Sequence, residues 1–578
     1  MKQEQIIVTY PVRRWLMLTV FVGATLCLLW RAFDLQIQNQ DFLRNHGDAR
    51  SLRTMKILAH RGNITDRNGE ALAVSTPVKS IWARPRQLLE SSDDLVELAE
   101  ILKTNTGALR ELLKNRVHRN FVYLKRQSKP QVANAIEALQ LPGVYIEREY
   151  KRFYPSGEIT SHLLGFTNVD DKGQEGLELA FDQWLQGASG SKRVLQDSLG
   201  RVFADVESIK ASKPGKALEL SIDRRIQYLA YRELKAAVIY HRARSGMLVM
   251  LDVNTGEVMA MVNQPSYNPN NRSGLKSDHF RNRAITDVFE PGSTLKPFTI
   301  AAALQSGLYQ PDSQIETKPG FLKVGNHTIK DHKNYGKLDL MNILKKSSNV
   351  GASKIALSLG PEKIWQTYVN IGFGQSTGSG FPGESSGLLN DYSSWSEVEL
   401  ATMSFGHGIA VTALQLAQAY SVLAGNGVLR PVSFQKIEEE VTGKRVLPSW
   451  VVKHVNNMLE TVVHEGGTGL RAAVRGYRVA GKTGTAHKAA SGGYAGDRYV
   501  SVFAGMAPLS NPQLVMVVVI DEPQRGEHYG GLVAAPVFSN VMRGALRILN
   551  VPPDDIPSFE SKIVVADSLA PSNRVMWQ

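Results

Sequence analysis

Ser293 and Lys296 stand three residues apart at the start of an apolar helical pattern, and such a pair can do chemistry. One helical turn puts positions i and i+3 on the same face, so an amine would lie beside a hydroxyl. A serine hydroxyl is a weak nucleophile until a neighbouring base takes its proton. Two more short motifs follow in order, Ser347-Ser348-Asn349 and Lys482-Thr483-Gly484-Thr485. The set supplies a nucleophile in Ser293, proton carriers in Lys296 and Ser347, and a cationic clamp for a carboxylate in Lys482. Acyl transfer through a covalent serine ester needs those parts.

Each motif alone is weak, and the chain contains decoys. Ser-x-x-Lys recurs as Ser189-Gly190-Ser191-Lys192 and Ser273-Gly274-Leu275-Lys276, both in loop-like sequence with no helix behind them. Ser293 instead follows Pro291-Gly292 and precedes Leu295, Phe298, Ile300, Ala301 and Leu304. Ser-x-Asn recurs as Ser266-Tyr267-Asn268, whereas Ser347-Ser348-Asn349 ends a helical stretch. There Ser and Asn are also ordinary helix caps. Lys482-Thr483-Gly484 occurs once, in a strand-like segment whose glycine marks close backbone approach. The run from Gly476 to Thr483 fits a phosphate-loop pattern, but no buried strand precedes it and Gly484-Thr485 starts a helix poorly. Gly374-Gln375-Ser376-Thr377-Gly378 fits a nucleophile elbow, yet more glycines and Pro382 follow where a helix is required. The 13 histidines show no His-Glu-x-x-His spacing, so neither a metal nor another cofactor is expected. His407, between Gly406 and Gly408, reads as a positioning residue.

The elements that must hold these groups have their own signals. A strand over 217–222 and a helix over 225–238 open the catalytic unit. Strands at 247–253 and 257–262 flank the turn Asn254-Thr255-Gly256, and a second pair occupies 500–506 and 514–520. Mostly helical patterns such as 411–423 lie between, so strands from both ends should close one antiparallel sheet flanked by helices, an α+β layout. Upstream, 51–215 reads as mixed α/β: a turn at Asn68-Gly69, a return strand at 72–74, helical spacing over 95–113 and an amphipathic helix over 173–185.

At 578 residues the chain should hold at least two domains, and 43% hydrophobic with 21% charged content is that of a folded protein. The net charge of +13 is spread along the chain without a recognition motif, which argues for an anionic surface and against nucleic acid. The one cysteine, Cys27, leaves no intrachain disulfide, and the bulky Leu26 before it makes a poor lipoprotein signal. Cys27 sits in an uncharged run, 15–30, between Arg14 and Arg31. The run would span about 24 Å of a roughly 30 Å hydrocarbon core, and snorkelling arginines with end tryptophans can cover the rest. With no Ala-x-Ala site after it, an uncleaved anchor is expected. Flanking basic residues balance, so the orientation rests on the chemistry. The expected organisation is a cytoplasmic N-terminus (1–14), an anchor (15–35), a pedestal module (36–215), a catalytic unit (216–551) and a poorly ordered tail (552–578).

The three motifs, their order and their separations resemble the penicilloyl-serine transferases, namely the penicillin-binding proteins and serine β-lactamases. Arg61-Gly62-Asn63-Ile64-Thr65-Asp66-Arg67-Asn68-Gly69, Arg152-Phe153-Tyr154-Pro155 and Gly173-Gln174-Glu175-Gly176-Leu177-Glu178 look like the N-terminal module of class B penicillin-binding proteins. Tyr529-Gly530-Gly531 and Ala535-Pro536-Val537-Phe538 look like the close of their transpeptidase domain. The chain is most similar to the septal, FtsI-type branch (penicillin-binding protein 3), with the elongation-specific branch as the alternative. A β-lactamase typically carries Ser-Asp-Asn, whereas Ser348 stands in the middle here.

The resemblance implies the penicilloyl-serine transferase fold and a donor peptide ending in D-Ala-D-Ala, cross-linked to a neighbouring stem peptide. Ser293 would be the nucleophile, Lys296 its base and Ser347 the proton relay. Asn349 would hold the donor peptide, and Lys482, Thr483 and Thr485 its carboxylate, with Gly484 between them. Backbone N–H groups of Ser293 and Thr485 would form the oxyanion hole. It further implies covalent inhibition by β-lactams, an inner-membrane anchor with a periplasmic catalytic domain, and an FtsW-type glycan polymerase and other division proteins as partners. A β-lactam-sensing or non-catalytic wall-binding receptor is the alternative from another class.

Overall fold

The computed structural model describes residues 11–43, 51–90, 95–196, 202–439, 441–490 and 493–555. Its first element is helix α1 (Pro11–Phe33), which continues as one wide turn to Gln38. None of its residues is buried, and it is the one described helix long and apolar enough to cross a membrane. At 1.5 Å per residue the helix spans about 34 Å, so it exceeds the uncharged run and matches a bilayer core.

Strands β1 (Leu52–Ile57), β2 (Ile64–Thr65), β3 (Ala71–Ala83), β4 (Val122–Ser128), β5 (Val144–Phe153), β6 (Gly190–Gln196), β7 (Val202–Lys210) and β8 (Leu218–Glu219) build the pedestal. One sheet runs β1-β6-β7 and the other β4-β3-β2-β8, with β5 also on β3. The Asn68-Gly69 turn forms as expected, held by Asp66 Oδ1, which accepts from the N–H of Asn68 (2.9 Å) and of Glu70 (2.8 Å). Three elements differ from the sequence reading. The helical spacing over 95–113 is two helices, Leu95–Leu102 and Thr106–Lys114, because Lys103 turns to φ 56° and Asn105 caps the second. The amphipathic stretch over 173–185 is two short helices, Gly176–Ala180 and Asp182–Gln186. The strand over 217–222 shortens to β8, which pairs in parallel with β2 of the pedestal.

The short helix Gly176–Ala180 places an acid where a longer amphipathic helix would bury an apolar side chain. Glu178 is fully buried, and Arg61 Nη2 (2.7 Å) and Arg152 Nε (2.6 Å) both reach its carboxylate. Arg61 also binds Asp182 at 2.7 Å. Two buried guanidinium groups thus alternate with two carboxylates, which neutralises a cluster too costly to bury unpaired. Three of the motifs singled out in the sequence meet here.

The catalytic unit contains α2 (Arg224–Tyr240), β9 (Ser245–Asp252), β10 (Val258–Gln264), α3 (Lys296–Gln305), α4 (Leu340–Lys346), α5 (Asn349–Leu359), α6 (Ala413–Ala424) and α7 (Ser449–Val463). It closes with β11 (Ala480–Ala490), β12 (Gly493–Ala507), β13 (Leu514–Asp521) and α8 (Ala535–Ile548). The sheet order is β10-β9-β13-β12-β11, antiparallel throughout, so strands from both ends do meet. Both faces of β9 are buried. Leu248 and Met250 pack with Ile226 and Leu234 of α2 and Phe538 of α8. Met247, Val249 and Leu251 alternate to the other face, with Leu416 and Tyr420 of α6. Every residue of α6 is buried, and its polar Gln415 and Gln418 donate to backbone carbonyls of Gln375, Ser386, Thr377 and Arg430. α3 packs in the same core as α6, and β11 forms the sheet edge beside the turn that precedes α3.

Candidate active site

Ser293 lies in a tight turn, Gly292–Leu295, that leads into α3, and Lys296 is the first residue of that helix. The turn is fastened from below: Thr294 Oγ1 donates to Pro291 O (2.7 Å), and the buried Tyr420 hydroxyl donates to Thr294 O (2.9 Å). Ser293 stays partly exposed while Lys296 is fully buried. The Lys296 Nζ lies 3.0 Å from Ser293 Oγ, 3.1 Å from Ser347 Oγ, 2.6 Å from Ser347 O and 2.7 Å from Asn349 Oδ1. One amine therefore joins three of the residues singled out in the sequence, two of them more than fifty residues away along the chain.

The Ser347-Ser348-Asn349 corner shows why capping and chemistry coincide. Ser347 ends α4 in the left-handed region (φ 60°, ψ 43°), a conformation uncommon for a residue with a Cβ. Its carbonyl and hydroxyl both face Lys296. Ser348 begins the next helix: its Oγ accepts from Gly351 N (2.9 Å) and donates to Asp331 Oδ2 (2.6 Å). Asp331 Oδ1 accepts from the N–H of Asn349 (2.6 Å) and of Val350 (3.0 Å). A carboxylate at a helix N-terminus is favoured by the unpaired N–H groups and the helix dipole. Asn349 Nδ2 donates to Lys330 O at 3.1 Å, which fixes its amide with the oxygen toward Lys296 and leaves one amide hydrogen for a ligand.

β11 brings the third motif alongside. A Cβ on Gly484 would lie 2.7 Å from Pro291 O and 2.9 Å from the Thr294 methyl, so only glycine lets the strand pass this close to the Ser293 turn. Lys482 is fully buried, and its Nζ donates to the carbonyl (3.1 Å) and hydroxyl (3.2 Å) of Thr483. Thr483 Oγ1 pairs with Thr468 Oγ1 at 2.8 Å, and Thr485 Oγ1 accepts from Gly530 N at 3.0 Å. Lys482 is not among the groups bonded to Lys296; it acts on that amine through charge.

The electrostatics follow from burial. Lys296 is held well below the ordinary lysine range, first by desolvation and then by the positive charge of Lys482, with Asp331 opposing. Burial alone brings Lys482 down to about 7. His407 is lowered to about 4 by burial, then by Lys296 and His487, so it is neutral at physiological pH. It sits 3.6 Å from Glu290, and Gly408 N donates to Glu290 at 3.0 Å, which suits a positioning role. A serine hydroxyl beside an uncharged amine can be deprotonated as it attacks, and a second hydroxyl on the same amine can pass the proton onward.

Asp331 is the contributor that sequence reasoning missed. It sits 17 residues before Ser348, after the strand His327–Lys330, and no local pattern links it to the later motif. The decoys fall elsewhere. Ser376 donates to Glu384 in a loop, and the phosphate-loop match leads into strand β11 rather than a helix. Of the tail expected from Pro552, residues 556–578 lie outside the described residues. Its start is tied down, Asp554 accepting from Arg478 N (2.7 Å) and Ser510 N (3.0 Å).

Residues 246–543 match the model of the penicillin-binding protein transpeptidase domain, and residues 56–220 match that of the penicillin-binding protein dimerisation domain. The chain belongs to the penicillin-binding protein transpeptidases, with the two-module build of class B. It is similar to the peptidoglycan D,D-transpeptidase FtsI of Escherichia coli strain K12, 46% identical over 534 residues, covering 91% of this chain and 90% of that protein. Among solved structures, the transpeptidase domain of Burkholderia pseudomallei penicillin-binding protein 3 is 44% identical with a TM-score of 0.54, covering 58% of this chain and 98% of that one. A peptidoglycan synthetase of Bifidobacterium adolescentis is 28% identical with a TM-score of 0.69, covering 88% and 98%.

Proposed function

We propose that this protein is a peptidoglycan D,D-transpeptidase of the division septum, anchored by α1 with its N-terminus in the cytoplasm and its catalytic unit in the periplasm. Neutral Lys296 takes the proton of Ser293 Oγ as that oxygen attacks the carbonyl carbon of the penultimate D-Ala. Backbone N–H groups of Ser293 and Thr485 receive the developing oxyanion, a contribution worth roughly 10²–10³ in rate per donor. The peptide C–N bond breaks, and the departing D-Ala nitrogen receives a proton through Ser347 Oγ. The acceptor amine of a second stem peptide then attacks the ester and gives its surplus proton to Lys296, which passes it to Ser293 Oγ as the ester C–O bond breaks, closing a 4,3 cross-link and restoring the neutral amine.

Lys482, Thr483 and Thr485 hold the donor's terminal carboxylate, which by its charge draws the Lys482 amine back to its protonated form. Asn349 offers its remaining amide hydrogen to the donor peptide. A β-lactam enters the same way, opens its ring on Ser293 and stays attached. The N-terminal module serves as a docking face for an FtsW-type polymerase. The observation that carries this reading is the single buried amine of Lys296 within 3.1 Å of Ser293 Oγ and Ser347 Oγ. The similarity to FtsI supports the septal assignment. Mass spectrometry of penicillin-treated protein should place the adduct on Ser293, and Ser293→Ala should take none up. An adduct on any other residue, or persistent labelling of the variant, overturns the assignment.

A further inference from the structure

Lysines on a solvated face are ordinary, but those beside the catalytic cleft are set apart by their number and surroundings. Between Glu316 and Lys346 seven lysines stand against three acids, a net +4 of the chain's +13. The hairpin of strands Phe321–Val324 and His327–Lys330 turns Val324 and Ile329 inward, into a cluster with Ala401 and Phe405. Side chains alternate along a strand and opposite residues point the same way, so Lys323 and Lys330 share the outer face. Lys318, Lys333 and Lys337 are exposed as well. The three acids are each committed to backbone N–H groups. Glu316 accepts from Lys318 N (2.9 Å), Asp339 from Asn342 N at the start of α4 (2.7 Å), and Asp331 from Asn349 N at the start of α5 (2.6 Å). Among the described residues none of the seven lysines is ion-paired. Lys346 donates to Gly466 O (2.9 Å), and Lys333 Nζ lies 5.8 Å from the centre of the Tyr335 ring.

This positive charge begins at the reacting groups. The carbonyl of Lys330 accepts from Asn349 Nδ2 (3.1 Å), and Lys346 directly precedes Ser347, whose hydroxyl faces Lys296. The His332 ring meets that of Tyr529, 6.2 Å centre to centre, and Gly530 next to Tyr529 donates to Thr485 Oγ1 (3.0 Å). Residues 330–333 are thus one wall of the cleft mouth, and Tyr529 belongs to the other. Fixed charge of one sign at a cleft concentrates an oppositely charged substrate and speeds its arrival by about 10–10³-fold.

We propose that this lysine wall is the docking surface for an acidic peptide, favouring substrates that carry carboxylates beyond the terminal one held at Lys482. The proposal rests on the transpeptidase reading and deepens it by naming the charge of the substrate. The test uses the full chain in detergent and two acetylated peptides of equal length, one with two glutamates and one with two glutamines before D-Ala-D-Ala. Each competes with a fluorescent penicillin for Ser293. At low salt the acidic peptide should slow labelling at an about tenfold lower concentration than the neutral one, and the ratio should approach one at about 0.5 M salt as the charges are screened. Lys323→Gln, Lys333→Gln and Lys337→Gln together should bring the ratio near one at low salt, and each single change should bring it part of the way. A charge-matched variant of the pedestal, Lys103→Gln with Lys114→Gln and Lys129→Gln, should keep the wild-type ratio, which separates the wall from net charge. Equal competition by the two peptides in the wild type, no competition by either, an unchanged ratio in the wall variant, or an equal loss in the pedestal variant overturns the proposal. Labelling of Ser293 by penicillin alone reports on the site itself: its absence would sink the transpeptidase reading, and its presence leaves only the docking surface at issue.

Discussion

Two regions of this protein bury cations, and they do so to opposite ends. In the pedestal, Arg61 and Arg152 share the fully buried Glu178, and Arg61 adds Asp182, so every positive charge meets a carboxylate. In the catalytic unit, Lys296 is equally buried but its bonded partners are neutral oxygens of Ser293, Ser347 and Asn349. Asp331, the nearby acid, is spent on Ser348 and the N-terminus of α5. Arginine cannot give up its proton and therefore needs the carboxylates, whereas lysine can shed its charge when desolvated. The same burial holds a charged clamp in one place and favours an uncharged amine in the other. The identity of the partner decides which.

That contrast can be broken or sharpened by substitution. Lys296→Met should slow acylation by penicillin about 10²–10⁴-fold, as loss of a general base does. Its effect on the melting curve should be far smaller than that of the pedestal change described next. Glu178→Gln leaves two buried guanidinium groups facing a neutral amide and should destabilise the chain by about 3–5 kcal/mol, read by denaturant melting. If Lys296→Met proved the more destabilising of the two, the contrast would collapse. Asp331→Asn should be mildest, costing about 1 kcal/mol through a weakened cap. Because Asp331 favours the charged form of Lys296, its loss lowers that lysine further. The acid limb of the acylation profile should then move to lower pH; a shift to higher pH would contradict the sign of the interaction.

The candidate catalytic groups were legible in the sequence because they stand at short, fixed local spacings. Ser293 and Lys296 share one helical turn, and the strands of the central sheet alternate or run apolar as buried strands do. What stayed illegible depends on distant contacts. Asp331 follows the hairpin Phe321–Lys330 and reaches Ser348 past the intervening strand Lys337–Leu338 and α4, with no periodic signal. The pedestal stretch over 173–185 looks amphipathic, yet Glu178 is drawn inward by two arginines remote in sequence, and the helix is broken into two. The 95–113 pattern has helical apolar spacing throughout, but the backbone reverses at Lys103. Periodicity registers which face is buried and is blind to where the chain turns.

The central claim is that Lys296 is uncharged at working pH and takes the proton of Ser293. The pH dependence of wild-type acylation by penicillin tests it most directly. A bell is predicted, its acid limb well below 10.5, the ordinary lysine value, and its alkaline fall set by Lys482 losing its charge. A rate that climbs about tenfold per pH unit all the way to an ordinary lysine titration would mean that Lys296 is charged at neutral pH, which contradicts the claim.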